Sequence, residues 1–186
     1  MVFLIIIVVV IAVVVLWMVV AYNGLVRLRN KVEETWSDID VMLKRRYDLI
    51  PNVVNTVKGY AKHEKGIFEK VSRDRTEAIS AEKKGPAEAA KAENMLAKSL
   101  KSLFAIAEQY PELKANQNFL SLQSELNETE NKIQTSRQTY NGTVREFNTA
   151  QQVFPTSIIA GLFGFKPSEF FETKEKAERE VPEVAF

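Results

Sequence analysis

From Met1 to Ala21 every position is apolar, with no charge, no Gly and no Pro, and only beyond Tyr22 do polar positions open between the apolar ones. Twenty such residues at ~1.5 Å each make a helix of ~30 Å, the hydrocarbon thickness of a bilayer. A core helix is rarely apolar on every side. The pattern therefore predicts a transmembrane anchor over residues 1–21. A cleaved secretory signal competes with it, but that reading needs a cationic start, a shorter apolar run and a small-residue cleavage site. No Lys or Arg precedes the run, and Ala21 follows Met18, Val19 and Val20 without an A-x-A pattern.

In the body, apolar residues recur at spacings of three and four, and no stretch alternates as a half-buried strand would. Four helices are expected. The first carries Leu25, Leu28, Val32, Trp36, Ile39 and Leu43 between about Gly24 and Leu49. Gly24 weakens a helix by only ~1 kcal/mol, so this helix can continue the anchor. Pro51 lacks an amide hydrogen and disfavours helix at Ile50, so it either ends the helix in a tight corner or kinks it. The second helix repeats Val54, Val57, Ala61, Glu64, Phe68 and Val71 up to Gly85-Pro86. The third shows Met95, Leu96, Leu100, Leu103, Phe104 and Ala107 before Tyr110-Pro111. The fourth, about 116–152, sets Phe119, Leu122, Leu126, Thr129, Ile133, Ser136, Tyr140, Thr143 and Phe147 in coiled-coil-like heptads. Thr129, Ser136 and Thr143 thin every second layer, either to fill a narrow layer or to let another chain approach.

Short connections make antiparallel neighbours. The expected fold is all-α: an N-terminal transmembrane helix followed by an antiparallel up-and-down four-helix bundle with long helices. Its divisions are an anchor at 1–21, the bundle at 22–153, an aromatic-rich segment at 154–172, and a charged tail at 173–186 that is mobile or loosely helical. Counting helices up and down returns the end of the fourth to the membrane.

That geometry singles out several residues. Trp17 and Tyr22 lie at the far end of the anchor, where amphipathic rings settle among headgroups. The stretches YNGLVRLRN at 22–30 and YNGTVREFN at 140–148 echo one another. They place Tyr22, Asn23, Tyr140 and Asn141 at the membrane end, unless the echo is chance. The segment 154–171 is too interrupted to span, being broken by Pro155, Gly161, Gly164 and Pro167. Its Phe154, Ile158, Ile159, Leu162, Phe163 and Phe165 either dip into the membrane surface or a partner, or fold over the open end of the bundle. At the Pro51 corner, Lys44, Arg45 and Arg46 offer cations to an anionic partner, or pair with Asp48 and helix-terminal carbonyls.

Charge sharpens the location. Arg27, Arg29 and Lys31 follow the span and no cation precedes it, which favours an outside N-terminus and a cytoplasmic body at the cell membrane. Lys and Arg total 25 against 24 Asp and Glu, so nothing recommends nucleic acid as a partner. The chain has no Cys, which removes disulfides and thiol chemistry, and its one histidine is His63. No E-x-x-H pair occurs, and a zinc site would rest on carboxylates. Glu125, Glu128 and Glu130 could face Glu33, Glu34, Asp38 and Asp40, although such spacings ordinarily make a solvated face. No triad order, Walker loop or dinucleotide turn is present. The expectation is a non-enzyme without a cofactor: a membrane-anchored scaffold, self-associating through its heptad faces, with the bilayer as partner. A metal-dependent accessory enzyme, or a secreted domain released by cleavage, is the alternative.

The run KRRYDLIPNVVNTVKGYAKHE at 44–64 and the run YNGTVREFNTAQQVFPTSIIAGLFGFKPSEFFE at 140–172 resemble the two signatures of the LemA family. The resemblance spans nearly the whole chain. It implies a bacterial or archaeal single-pass membrane protein with a short outside N-terminus, a four-helix body and no settled activity. It also implies a setting in envelope maintenance beside a membrane-bound partner such as a zinc metallopeptidase. The motif positions it carries over are Arg45, Arg46, Asp48, Pro51, Asn52, Gly59, Tyr60, His63 and Glu64, then Tyr140, Asn141, Phe147, Asn148, Phe154, Pro155, Phe163, Phe165, Phe170 and Phe171, none of them catalytic.

Overall fold

The computed structural model describes residues 1–172, so the tail expected over 173–186 lies outside the described residues. The chain forms α1 (Val2–Tyr60), α2 (Lys65–Glu82), α3 (Pro86–Ala107), α4 (Pro111–Lys114), α5 (Gln117–Gln152) and α6 (Thr156–Leu162), with no strand among the described residues. The all-α class and the long apolar N-terminal helix are as expected. These helices divide into two compact units, Met1–Leu49 with Gln123–Phe170, and Ile50–Leu122 with Phe171 and Glu172.

In the first unit α1 and α5 run antiparallel. Lys31 pairs with Glu146 and Arg46 with Glu130, so fifteen residues forward along α1 match sixteen back along α5. Leu25, Val32, Ile39, Leu43 and Tyr47 of α1 are buried, as are Leu126, Ile133, Tyr140, Val144 and Phe147 of α5. Thr129 and Thr143 are buried too. Their hydroxyls donate to the carbonyls of Glu125 at 2.8 Å and Thr139 at 3.1 Å, which satisfies a polar group inside a narrow layer.

In the second unit α2 and α3 are joined by Lys83–Gly85, a turn short enough to make them antiparallel neighbours. Gly85 has φ 115°, a region that glycine enters without steric cost, and Pro86 opens α3 at a position where its missing N–H matters little. Phe68, Val71, Ala78, Leu96, Leu100, Leu103 and Leu113 are buried, and Phe104 lies against Phe119 with ring centroids 6.2 Å apart. Asn116 caps α5 by accepting the Phe119 N–H at 3.1 Å, while its amide donates to the Tyr60 hydroxyl at 2.9 Å.

One expected boundary moves. Pro51 does not end α1, which continues to Tyr60. Its ring lies on the exposed side, where water can take up the hydrogen bond that the Tyr47 carbonyl loses. Ile50, Val53, Val54 and Val57 are buried instead. At ~1.5–3 kcal/mol each, their burial outweighs the ~3 kcal/mol cost of an interior proline. The turn lies at Ala61–Glu64, closed by the Glu64 N–H donating to the Ala61 carbonyl at 3.1 Å.

Candidate membrane-proximal site

The segment after α5 is built around a glycine. Beyond α6, Gly164 takes φ 69°, its N–H donates to the Gly161 carbonyl at 3.4 Å, and the Phe165 N–H reaches back to Ala160 at 3.0 Å. These two bonds form a Schellman end, which satisfies carbonyls at the helix terminus and folds the next side chain back over the helix. Phe165 thereby joins Trp17, Met18, Ala21 and Ala150 around the buried cluster of Leu25, Ile159 and Ala160. The α6 helix is thus seated on the last turn of the uncharged run and the first turn after it.

Aromatic rings extend the seat. Tyr22 meets Phe163 at 4.7 Å and Phe165 at 5.9 Å between centroids, and Phe165 meets Phe147 at 6.4 Å. The Arg29 guanidinium stands 5.9 Å from the Phe165 ring, within cation–π range. From there the chain returns along α5. The Asn148 amide donates to the Ser168 carbonyl at 2.9 Å and accepts the Ser168 N–H at 2.8 Å, so one side chain replaces both partners of an extended backbone. The Tyr140 hydroxyl donates to the Glu169 carbonyl at 2.8 Å. Burial first, and then the nearby Glu169 charge, push the Tyr140 phenol up to about 12.

The expected site residues separate into groups. Trp17 is half-buried under α6, and Tyr22 keeps an exposed edge. Asn23 is exposed. Ile159 is buried and Phe165 half-buried, whereas Phe154, Ile158, Leu162 and Phe163 are exposed. One face of the segment therefore covers α1 and another is bare. Tyr140 and Asn141 do not belong to the membrane end. Both are buried in the body, and the Tyr140 ring lies 5.4 Å from Trp36, which is fourteen residues or ~21 Å along α1 from Tyr22. The two halves of the echo are not partners.

The basic trio also changes meaning. With Pro51 inside α1 there is no corner beside it. Lys44 and Arg45 are exposed, but Arg46 is buried and its guanidinium holds Glu130 at 2.5 Å. Periodicity had carried the signal, because Arg46 sits three residues after Leu43 and four before Ile50, on the apolar stripe itself. Asp74 of α2 falls on such a stripe three residues after Val71; it too is buried, and accepts a hydrogen bond from the Ser99 hydroxyl of α3.

A second surface lies further along the α1–α5 pair. Asp38, Val41 and Met42 of α1 and Glu128, Asn131, Lys132, Thr135 and Ser136 of α5 line an open groove of about 560 Å³. Its floor is apolar and its rim carries both signs of charge. Lys132 bonds Glu128 at 2.6 Å, and that hydrogen bond and the lysine charge hold the Glu128 carboxyl below its ordinary range. Of the three small residues, Ser136 alone opens onto this groove. No group of three or more His, Asp or Glu suited to a metal ion is present among the described residues.

Comparison with known proteins bears on the same segments. A model of the LemA family matches residues 35–186. The chain is similar to Magnetosome protein MamQ 2 of Paramagnetospirillum magneticum, 26% identical over 188 residues that cover 88% of this chain and 69% of that protein. Magnetosome protein MamQ of Magnetospirillum gryphiswaldense is 25% identical over the same shares. Protein LemA of Metamycoplasma hominis is 26% identical over 155 residues, covering 82% of this chain and 69% of that protein.

Proposed function

The chain belongs to the LemA family and is a membrane-associated helical protein, and from that premise we propose that it is a single-pass scaffold that self-associates at the membrane surface of the cell envelope. One observation carries the reading: α1 runs unbroken from the lipid-length segment into the body, so no linker separates the anchor from the helix that packs on α5. Every copy then presents the same faces at the same height above the bilayer. Two anchors that enter one bilayer in the same sense can be related by a two-fold axis only along the bilayer normal, which brings equal heights together. At such a height lies the groove around Val41, which is 58% exposed. Asp38 and Glu128 on one copy can face Lys132 on the other, so the patch is complementary to itself. The similarity to magnetosome proteins supports the membrane attachment from which this reading starts. The favoured topology keeps the N-terminus outside and the body cytoplasmic.

The absence of native cysteine makes the test clean. Val41→Cys should form a disulfide-linked dimer under mild oxidation in native membranes, and the detergent-extracted wild type should size above a monomer. A strictly monomeric protein that gives no cross-link at position 41 contradicts self-association. For the topology, a cysteine placed in the C-terminal region should escape an impermeant maleimide applied outside intact cells; labelling there would reverse the orientation.

A further inference from the structure

An apolar face stands bare beside the anchor. On α6 and at its two ends, Phe154 is 82% exposed, Leu162 70%, Ile158 57% and Phe163 55%, while Ile159 and Ala160 of α6 are buried against Leu25. Left in water, four large apolar side chains within ten residues of chain are costly. Their position supplies the occupant. The buried side of α6 packs against Trp17, Met18 and Ala21, within the uncharged run, and the first charge of α1 beyond that run is Arg27. A helix seated at that level cannot stand clear of a bilayer that residues 2–21 cross.

The chemistry of the segment agrees. Residues 147–165 carry no charge, so nothing in them opposes entry into the boundary between headgroups and acyl chains. Seven helical residues are ~10 Å long, suited to lying in a leaflet and far too short to cross one. Arg29 beside Phe165, together with Lys166 next in sequence, supplies cations at the polar edge, where lipid phosphates lie. We infer that α6 is a shallow wedge in the leaflet from which α1 emerges, with Phe154, Ile158, Leu162 and Phe163 against acyl chains and Ile159 clasping the anchor. The inference depends on α1 crossing the bilayer and is independent of self-association.

The test uses the full chain with single cysteines carrying a polarity-sensitive fluorophore, reconstituted into phosphatidylcholine–phosphatidylglycerol vesicles. Labels at Ile158→Cys and Leu162→Cys should be blue-shifted and quenched by lipids brominated near the top of the acyl chain. A label at Val10→Cys should respond to deep bromines, and one at Lys44→Cys only to aqueous iodide. If the labels at 158 and 162 are open to iodide while that at 10 is quenched by lipid, the wedge is overturned and the anchor stands. Protection of 158 and 162 from both quenchers means protein cover, which overturns the wedge equally. Because positions 158 and 162 are exposed, Ile158→Glu with Leu162→Glu should leave the fold intact and raise iodide quenching of a label at Phe154→Cys at least twofold. No change there contradicts insertion.

Discussion

The α1–α5 pair is sealed by opposite chemistry at two places. Around Leu25 the seal is wholly apolar and aromatic, made by α6 and Phe165 from a stretch of nineteen residues without a charge. Twenty-one residues further along α1 the buried side chain is Arg46, tied to Glu130. The difference follows the distance from the uncharged run that opens α1. Glu130 keeps half its side chain in water, so the ion pair is only partly desolvated and the guanidinium is tolerable inside the packing. Around Leu25 the packed cluster is made of neutral side chains, and Arg29 meets it only at the Phe165 ring. In the arrangement proposed above, polarity across the interior of the pair follows the distance from the bilayer.

Substitutions can break that contrast, starting with the largest effect. Leu25→Asp puts an unpaired carboxylate against Ile159 and Ala160 and should cost at least ~4 kcal/mol, read by denaturant unfolding of the detergent-solubilised protein. A cost under ~1 kcal/mol would show that water already reaches this end. At the other seal, Arg46→Ala should cost ~2–4 kcal/mol because it leaves a void. Arg46→Met, which keeps most of the volume and leaves Glu130 hydrated, should cost under ~1.5 kcal/mol. Equal costs for the two would mean that the charge, not the packing, holds this place.

Gly164→Ala should cost ~1–2 kcal/mol through its left-handed φ of 69°, since no neighbour lies within 4 Å of an added Cβ. It should also loosen Phe165 from Tyr22, seen as altered tyrosine fluorescence. Tyr140→Phe is the mildest, about 1 kcal/mol near neutral pH, from loss of the bond to the Glu169 carbonyl. Its sign with pH is fixed by the raised phenol. The contribution of Tyr140 is whole below pH ~10, where an unfolded tyrosine ionises, and is lost as pH rises toward 12, the value to which the folded phenol is pushed. The gap between wild type and variant should therefore narrow from pH ~10 upward; a gap independent of pH would place Tyr140 in water.

Much of this contrast is written locally and some of it is not. The anchor and α5 are legible because twenty apolar residues and a sustained heptad each exceed what a loop can imitate; the expected 116–152 and the observed Gln117–Gln152 differ by one residue. Pro51 misleads because its penalty is local whereas the burial that overrides it, at Ile50, Val53, Val54 and Val57, is tertiary. The true turn at Ala61–Glu64 contains neither Gly nor Pro, and its only local signs are Gly59 and Gly66 on either side. Arg46 reads as a surface cation by type and as a core position by spacing, and the spacing is right. Tyr140 and Asn148 are motif residues whose partners, Glu169 and Ser168, lie twenty or more residues away along a segment without periodicity.

α1 is one rod from the apolar run into the body, and a single distance tests this. Spin labels at Val10→Cys and Val41→Cys, in chains diluted with unlabelled protein in a bilayer, are separated by thirty-one helical residues, or ~46 Å at ~1.5 Å per residue. One narrow distance distribution centred near that value is the expected result. A broad distribution reaching well below it would mean that the helix breaks near Gly24, and would contradict a body held rigidly by its anchor.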